Sequence, residues 1–367
     1  MVLSPTFSGF FRAVLLALFA LGLSESPAVR AAAPEAATAH RAYEYYAIGD
    51  LKATRPEKTE PGLMLVGGGE WPYDAFRWMI EKSGHGHIVI LRASGAAEAQ
   101  DEFYKDIGGV ASAQTFVFSD RSAASDPRVL AAIRKADGVF IAGGDQSNYV
   151  RYWKDTPLSA ALDQHVRDGR PIGGTSAGLA ILGAYSYGAM DGGSLLSEVA
   201  LQDPFGPEVT LVDDFLHMPW LDKVITDSHF GKRERLGRLI VFVARLSKEQ
   251  GRTDLAGVGV DENTALCIDG NGVGRVFSGS GGYAWLVRPQ RQADVVVAGE
   301  PLTFRDVPVV GVGPHSRLSL KDFAVDQPAF TATYDVERGR LEDRSRGAQG
   351  SEGQRPPAKA LPSPTKR

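Results

Sequence analysis

The central part of this chain reads Pro171-Ile-Gly-Gly-Thr-Ser-Ala-Gly-Leu-Ala-Ile-Leu182. A short apolar run ends in two glycines, Ser176 follows between small residues, and an apolar pattern typical of a helix begins behind it. The segment matches G-x-S-x-G, in which a strand turns sharply into a helix and leaves the serine hydroxyl exposed, as in a nucleophile elbow. Glycines suit so tight a turn, and the backbone N–H groups that follow could hold an oxyanion. An ordinary strand-to-helix turn is the alternative interpretation.

Composition bounds the class of protein. The chain has 367 residues, of which 43% are hydrophobic and 23% are charged, as is ordinary for a globular protein with a full core. A formal net charge of −4 gives no electrostatic reason to expect nucleic acid as a partner. Cys267 is the only cysteine, which excludes an intrachain disulfide and a cysteine-based metal site. The sequence has neither metal-ligand spacing nor a nucleotide-binding fingerprint, so we expect no metal and no cofactor.

The amino terminus has the pattern of an export signal. Arg12 precedes an apolar run at residues 13–23, which is too short for a comfortable membrane span, and small residues follow it. We predict a signal peptide over residues 1–31 and a mature protein that is secreted or periplasmic, without stable membrane association. An uncleaved membrane anchor is the alternative.

Apolar runs and helical patterns alternate after residue 62. The predicted strands are residues 63–66, 87–92, 114–118, 138–142 and the serine strand, with shorter ones at 257–260, 265–268, 273–277 and 293–297. The predicted helices are residues 73–82, 97–107, 127–136 and 159–168. This order predicts a parallel sheet covered on both faces, in which ligands bind at the carboxyl ends of strands. The glycines at residues 67–69 and 143–144 follow strands, and we expect them to let the backbone approach a substrate.

We predict one folded domain over residues 62–338. Residues 32–61 are rich in Ala, Pro and Glu and are expected to form a flexible lead-in. Residues 339–367 are polar, with few apolar groups, and are expected to be disordered. A homodimer is compatible with the sequence.

A serine nucleophile needs a base within hydrogen-bond reach. His229 is the leading candidate, because Arg233, Arg235 and Arg238 follow it within about two helical turns. Guanidinium groups suit the binding of a carboxylate, since each offers a bidentate fork. A solvated basic helix face is the alternative interpretation of the arginines.

The other histidines fit the role of base less well. His85 and His87 stand at the amino end of a strand, which is the wrong edge of the sheet, and His165 is expected on a solvated helix face. The base also needs an orienting carboxylate. Glu262 follows an apolar strand, and the neighbouring Asp261 competes with it, but strand alternation points only one of the two inward.

Four motifs occur in the order and spacing seen in cyanophycinases. They are Gly143-Gly-Asp-Gln146, Gly174-Thr-Ser-Ala-Gly178, Asp227-Ser-His-Phe230 with Arg233-x-Arg-Leu-Gly-Arg238, and Gly259-Val-Asp-Glu-Asn-Thr-Ala265. Cyanophycinases are serine peptidases of family S51, which also includes the α-aspartyl dipeptidases. The chain resembles this family from about residue 63 to residue 320.

The resemblance implies an α/β fold with a parallel sheet in a three-layer α/β/α arrangement, like that of the class I glutamine amidotransferases. It implies Ser176 as nucleophile, His229 as general base and Glu262 as the residue that orients the base. It further implies an oxyanion hole formed by the backbone N–H groups of Gly144 and Ala177. The positions that it places in or around the substrate pocket are Gln146, Asp227, Arg233, Arg235 and Arg238.

The resemblance also implies a substrate. The family cleaves cyanophycin, a poly-aspartate chain with arginine on each β-carboxyl group, and releases β-Asp-Arg dipeptides from the chain end. Pocket arginines would pair with aspartyl carboxylates, and acidic groups with the guanidinium of the substrate. This sequence departs from the family pattern at Ser228, where Gln is common, and at Glu234, where a small residue is common.

Three other functions are compatible with parts of the pattern. A related peptidase could act on other aspartyl or isoaspartyl peptides. An α/β-hydrolase esterase also uses G-x-S-x-G, but it needs a histidine late in the chain, such as His315. A catalytically inactive protein could keep the fold to hold peptides or polymer, although intact Ser176, His229 and Glu262 argue against it.

Overall fold

Two β-sheets form the framework of the folded chain. The computed structural model describes residues 42–95 and 98–345, so the predicted signal peptide lies outside the described residues. The first sheet has the spatial order β1 (Tyr43–Gly49), β4 (Ser112–Phe118), β3 (His87–Arg92), β5 (Gly138–Ile141), β6 (Ile172–Thr175), β2 (Gly62–Val66), β11 (Thr264–Asp269), β12 (Val273–Ser278), β15 (Arg317–Ser319) and β16 (Val325–Asp326). The second has the order β18 (Arg340–Asp343), β17 (Phe330–Glu337), β14 (Phe304–Val312), β13 (Ala284–Val287), β10 (Ala256–Val260), β9 (Val224–Asp227), β7 (Tyr185–Tyr187) and β8 (Leu211–Asp213).

Helices connect these strands. They are α1 (Tyr73–Lys82), α2 (Ala99–Asp101), α3 (Pro127–Lys135), α4 (Gln146–Trp153), α5 (Pro157–Arg167), α6 (Ala177–Ala180), α7 (Ser197–Gln202) and α8 (Leu236–Glu249), with a π-helix at Glu102–Ile107 and a 3-10 helix at Arg121–Ser125. Asp126 caps α3, since its side chain accepts a hydrogen bond from the Arg128 backbone N–H at 2.7 Å. Among the described residues, no helix combines the length and apolarity that a membrane span requires.

The middle of the first sheet is parallel, as the alternation of strands and helices predicts. Strands β4, β3, β5, β6 and β2 run in the same direction, and antiparallel strands flank them on both sides. Alternate residues of β2 enter two different cores: Leu63 and Leu65 pack on one face, Met64 and Val66 on the other. Because both faces are covered, the central residues of β2, β3 and β5 are apolar without alternation, and parallel strands joined by helices confirm an α/β architecture.

The second sheet encloses a further core beneath α8. Leu239, Phe242 and Leu246 on this helix pack with Ile225 and Val287 of the sheet. Strands β9 and β10 are parallel neighbours, with Asp227 opposite Gly259. Their carboxyl ends therefore deliver the segments that follow them to the same place.

Three predicted elements differ from the structure. Strand β1 lies in the predicted lead-in and pairs along its length with β4, and β18 lies in the predicted disordered tail and pairs with β17, so order extends beyond residues 62–338 in both directions. The predicted strand at 293–297 contains only an isolated bridge between Val295 and Thr303. Val296 is buried but Val297 is exposed, so only part of this apolar run packs into the core.

Candidate active site

Ser176 occupies the turn between β6 and α6. Its φ is 54° and its ψ is −118°, a conformation that L-residues rarely adopt. A Cβ on Gly174 would lie 2.4 Å from the carbonyl oxygen of Gly178, and one on Gly178 would lie 2.1 Å from that of Ile141. Both glycines of the motif are therefore required by close backbone approach, and they let the helix fold back directly behind the serine.

The structure brings the three predicted catalytic residues into one hydrogen-bonded chain. Ser176 Oγ lies 2.7 Å from Nε2 of His229, and Nδ1 of His229 lies 2.7 Å from Oε1 of Glu262. A neutral imidazole with its proton on Nδ1 donates to the carboxylate and accepts from the hydroxyl. Ser176 follows a strand of the first sheet, whereas His229 and Glu262 follow the neighbouring strands β9 and β10 of the second.

The glycines after β2 hold this chain together. Val66 accepts a hydrogen bond from the backbone N–H of Ser176 at 3.0 Å, and Gly67 accepts one from His229 at 2.7 Å. Gly68 has a φ of 99°, and a Cβ there would lie 2.3 Å from Cε1 of His229. Gly68 therefore approaches the imidazole ring, whereas a Cβ on Gly67 would meet the backbone carbonyl oxygens of Val260 and Asp261. That these glycines also approach a substrate stays a prediction.

Burial and charge set the protonation of the base. Burial lowers the pKa of His229; the hydrogen bond to Glu262 opposes this, and the positive charges of Arg233 and Arg235 lower the pKa further. The pKa of His229 lies below the ordinary 6.5 as a result. Burial raises the pKa of Glu262, but hydrogen bonds from Lys232 and His229 outweigh burial, so this carboxyl group titrates below its ordinary range. The histidine is thus neutral and the carboxylate charged near neutral pH.

Asp261, the competitor of Glu262, faces away from the imidazole. Its carboxylate accepts hydrogen bonds from the backbone N–H of Gly231 at 2.8 Å and from Nε1 of Trp285 at 3.0 Å. Burial raises the pKa of Asp261, although these bonds oppose the rise. Both residues lie beyond the end of β10, and Glu262 is the one whose carboxylate contacts His229.

Lys232 was not singled out from the sequence. Its Nζ lies 2.8 Å from Oε2 of Glu262, the oxygen that His229 does not use. Lys232 stands three residues after the base, so the short turn that carries the histidine also carries the cation that meets its carboxylate.

A cavity of about 250 Å³ opens beside the serine. The predicted residues that line it are Gly144, Gln146, Ser176, Ala177, His229, Arg233, Arg235 and Arg238. Gln146 is held in its wall by a hydrogen bond from Nε2 to the carbonyl oxygen of Tyr187. Arg233 is exposed, and it makes no ion pair within the part of the chain that the structure describes. Its guanidinium is therefore available to an anionic ligand.

Asp227 lies beneath this cavity and does not line it. Its side chain is buried, and Arg238 donates to both of its oxygens, from Nε to Oδ2 at 2.8 Å and from Nη2 to Oδ1 at 2.5 Å. Arg235 donates to the carbonyl oxygen of Ser228 at 2.8 Å. Burial raises the pKa of Asp227, but the arginines more than offset this rise. The carboxylate is therefore charged, and both of its oxygens are bound by Arg238.

The Gly143-Gly144 segment faces the serine. A Cβ on Gly143 would lie 3.2 Å from Cβ of Ser176. Behind it, Oγ of Ser94 accepts a hydrogen bond from the backbone N–H of Asp145 at 2.7 Å, and Nε of Arg92 donates to the carbonyl oxygen of Ser94 at 2.7 Å. The backbone N–H groups of Gly144 and Ala177 meet no acceptor among residues 42–95 and 98–345. Ser94 and Arg92 carry no motif that would have singled them out.

The remaining described histidines lie in other contacts. His87 bonds to Ser112 Oγ at 2.7 Å, and His217 bonds to Asp163 at 2.7 Å. His315 is exposed and makes no contact with Ser176, which removes the basis for the esterase interpretation. Within the described ranges, no group of His, Cys, Asp and Glu side chains could hold a metal ion.

The prediction of a solvated His165 is wrong. This side chain is 2% exposed, and its Nε2 bonds to the carbonyl oxygen of Pro171 at 3.0 Å. Burial lowers the pKa of His165 to about 4. Polar residues around His165 in α5 suggest a solvated face, but this face packs against the segment that leads into β6.

The chain is similar to known peptidases. The model of peptidase family S51 matches residues 93–276, which include the serine, the histidine and the glutamate. Cyanophycinase from Synechococcus elongatus is 34% identical over 193 residues, covering 52% of this chain and 55% of that protein, so the match spans about half the length of this relative. Cyanophycinase from Trichormus variabilis is 26% identical over 272 residues, covering 70% of this chain and 85% of that protein. A peptidase from an acI-B1 Actinobacterium aligns in its crystal structure with a TM-score of 0.43 and 18% identity, covering 66% of this chain and 98% of that one.

Proposed function

Because this chain belongs to peptidase family S51, we propose that it is a serine exopeptidase that hydrolyses cyanophycin and releases β-Asp-Arg dipeptides. The observation that carries the proposal is the chain of two 2.7 Å contacts from Ser176 through His229 to Glu262. This chain opens into a cavity lined by arginines. The curated relatives are named cyanophycinases, which supports the same substrate.

The mechanism follows from the arrangement of donors and acceptors. Ser176 Oγ attacks the carbonyl carbon of the scissile bond while Nε2 of His229 takes the hydroxyl proton. The oxyanion is held by the backbone N–H groups of Gly144 and Ala177, and the imidazolium is stabilised by Glu262. His229 then gives its proton to the leaving amine, which departs and leaves an acyl-enzyme on the serine. Water, deprotonated by the same histidine, releases the acid product and restores the hydroxyl.

The strained backbone at Ser176 supports a nucleophile elbow. A φ of 54° combined with the two close-packed glycines places the hydroxyl on the outside of the strand-to-helix turn. We extend the proposal to a three-layer arrangement of the kind found in class I glutamine amidotransferases, which the parallel strands and the two packed faces of the first sheet support.

The cavity favours an aspartyl group next to the scissile bond. Arg233 forms no ion pair with the residues that the structure describes, and Arg235 lines the same space, so a substrate carboxylate meets at least one available guanidinium there. Asp145 supplies an acidic group to the same wall, and its Oδ1 caps α4 by accepting from the Ser147 backbone N–H at 2.9 Å. The other oxygen of Asp145 is our candidate acceptor for the arginyl group of the polymer.

A second candidate substrate class is aspartyl or isoaspartyl peptides that lack arginine. One observation favours it: Asp227, the acidic residue assigned to the pocket by resemblance, is committed to Arg238. Ser228 also replaces the amide expected at its position. Both features weaken recognition of a substrate guanidinium while leaving recognition of a carboxylate intact.

We further propose that the mature enzyme is exported, as the predicted signal peptide implies, and that it acts on polymer outside the cytoplasm. Mass spectrometry of the protein recovered from the medium or the periplasm would test this. A mature amino terminus near residue 32 is the expected result, and recovery of the full-length chain in the membrane fraction would contradict it.

The central experiment uses insoluble cyanophycin with the wild type, with Ser176→Ala and with Ser122→Ala, an exposed serine on the 3-10 helix. We expect clearing and β-Asp-Arg release by the wild type and the Ser122 variant, and none by the Ser176 variant. Absence of clearing, with Ser176 still labelled by a serine-hydrolase probe and with cleavage of isoaspartyl peptides, would establish the second substrate class. Absence of both labelling and cleavage would overturn the peptidase and leave a binding protein.

A further inference from the structure

Glu262 is held at both carboxylate oxygens. His229 occupies Oε1 at 2.7 Å, and Lys232 occupies Oε2 at 2.8 Å. The carboxylate is largely buried, with 16% of its side chain exposed, whereas the lysine side chain is 72% exposed. The contact thus joins a surface cation to an anion inside the catalytic chain.

The turn after β9 brings Lys232 to this place. The Arg233 backbone N–H donates to the carbonyl oxygen of His229 at 3.1 Å, which closes the turn. The Gly231 backbone N–H donates to Oδ1 of Asp261 at 2.8 Å, and a Cβ on Gly231 would lie 2.9 Å from that oxygen. The adjacent carboxylates therefore both bind this turn, Asp261 through the backbone of Gly231 and Glu262 through the side chain of Lys232.

Charges of both signs act on the imidazole ring. The charged groups that act on His229 are Glu262 on one side and Arg233 and Arg235 on the other. Lys232 acts on the same balance through Glu262, because a cation on Oε2 reduces the negative charge felt by an imidazolium on Oε1. A glutamate with one free oxygen could rotate away from the histidine or hold its proton too tightly, and the lysine opposes both.

We propose that Lys232 is a positioning residue for the proposed peptidase reaction, holding Glu262 so that one oxygen faces His229 and limiting how strongly that glutamate retains the proton on the base. The inference rests on the proposed function. Lys232 touches neither the serine nor the cavity, so it acts only through Glu262. Its effect falls on the chemical step and leaves substrate binding unchanged.

The test compares Lys232→Met, Lys232→Arg and Lys105→Met. Lys105 is the matched control, since it is an exposed lysine paired with Asp101 at 3.0 Å on a helix outside the site. The measured quantity is the rate constant for labelling of Ser176 by a fluorophosphonate probe across pH, which needs no knowledge of the substrate. We expect Ser176 in Lys232→Met to be labelled about fivefold more slowly. The acid limb of its rate–pH profile should move up by about 0.5 pH unit.

Five further results are expected. Lys232→Arg restores both the rate and the limb, Lys105→Met matches the wild type, and 1 M salt shrinks the shift, because the lysine is exposed to screening. Thermal stability of Lys232→Met stays close to that of the wild type, since exposed ion pairs contribute little to stability. On peptide substrate the loss appears in kcat and not in KM.

Three outcomes would overturn either the positioning role or the proposed function. If the wild type labels at Ser176 and Lys232→Met keeps the same rate and the same acid limb, the positioning role is refuted and the peptidase stands. If the wild type does not label at Ser176, the proposed function itself fails. A slower rate with an unchanged limb and a lower melting temperature would show a structural role and likewise refute the inference.

Discussion

Arg238 grips both carboxylate oxygens of Asp227, at 2.8 and 2.5 Å, directly beneath the cavity that holds the reactive serine. Its Nη1 also donates to the carbonyl oxygen of Leu195 at 3.0 Å, and its guanidinium lies over the ring of Tyr187, 5.0 Å from the centroid. One arginine therefore connects β9, β7 and the segment before α7. The Arg238–Asp227 ion pair therefore has a structural role beneath the cavity.

Asp227→Ala should accordingly lower stability more than it changes specificity. Removing one partner leaves a buried guanidinium without its counter-ion, which costs about 3–5 kcal/mol of unfolding free energy. Urea denaturation measures this loss. As a control, Asp145→Ala removes a carboxylate that lines the cavity and should lower stability far less. An Asp227→Ala variant that unfolds like the wild type but binds arginyl substrates more weakly would place Asp227 among the substrate ligands instead.

Gly68→Ala should impair activity without unfolding the protein. A Cβ at this position would lie 2.3 Å from Cε1 of His229, so the ring must shift away from the serine. Gly169→Ala is the matched control, because its φ is 74° and its new Cβ meets nothing within 4 Å. Both variants share the backbone strain of about 1 kcal/mol, but only Gly68→Ala should lose probe labelling, by about tenfold or more. Equal labelling of the two variants would contradict the supporting role of the β2 glycines.

The acid limb of activity should lie below the ordinary histidine pKa of 6.5, because burial and the nearby arginines lower the pKa of His229. Activity is lost as pH falls through this pKa, since the protonated ring cannot accept the serine proton. Glu262→Gln removes a group that raises the pKa of His229, so the limb should move to lower pH while the rate falls about 10²–10⁴-fold. Rate–pH profiles of the two proteins measure both effects. A limb that moves to higher pH in Glu262→Gln would argue that another group is the base.

Stability should fall in acid through His165. Its folded pKa is lowered to about 4 while the unfolded ring titrates near 6.5, so the unfolded chain binds the proton first. The contribution is complete above pH 6.5 and is lost as pH drops toward 4, by up to about 1.4 kcal/mol per pH unit. In His165→Gln, where the amide can still donate to Pro171, the slope of unfolding free energy against pH should flatten over this window. An unchanged slope would show that other groups dominate the acid sensitivity.

The elements that the sequence predicts well are those whose burial leaves a clear apolar pattern, either a continuous run or a helical period. Strand β3 and helix α1 have the predicted bounds, because one is buried on both faces and the other is strongly amphipathic. Strand β1 could not be predicted so easily: five of its seven residues are exposed, and it is held by backbone pairing with β4. Backbone pairing of this kind leaves little mark on side-chain composition.

The same contrast holds at the site. Ser176, His229 and Glu262 stand in motifs with local chemical signatures, so pattern reasoning finds them. Lys232 does not, because its role exists only once the turn after β9 meets the strand end at Glu262. Gly67 likewise gains its role through a carbonyl oxygen that accepts from His229, more than a hundred residues away. Long-range contacts of this type are set by topology, which one sequence does not display.

The proposed catalytic chain is divided between the two sheets, which has a consequence for folding. The serine belongs to the first sheet, and its proton acceptor and the glutamate belong to the second. On this proposal, a chain that has folded only the parallel strands around Ser176 holds a hydroxyl no more reactive than that of free serine. Hydrolytic activity then requires the segments that carry His229 and Glu262 to pack against Ser176, so a partly folded chain would lack it.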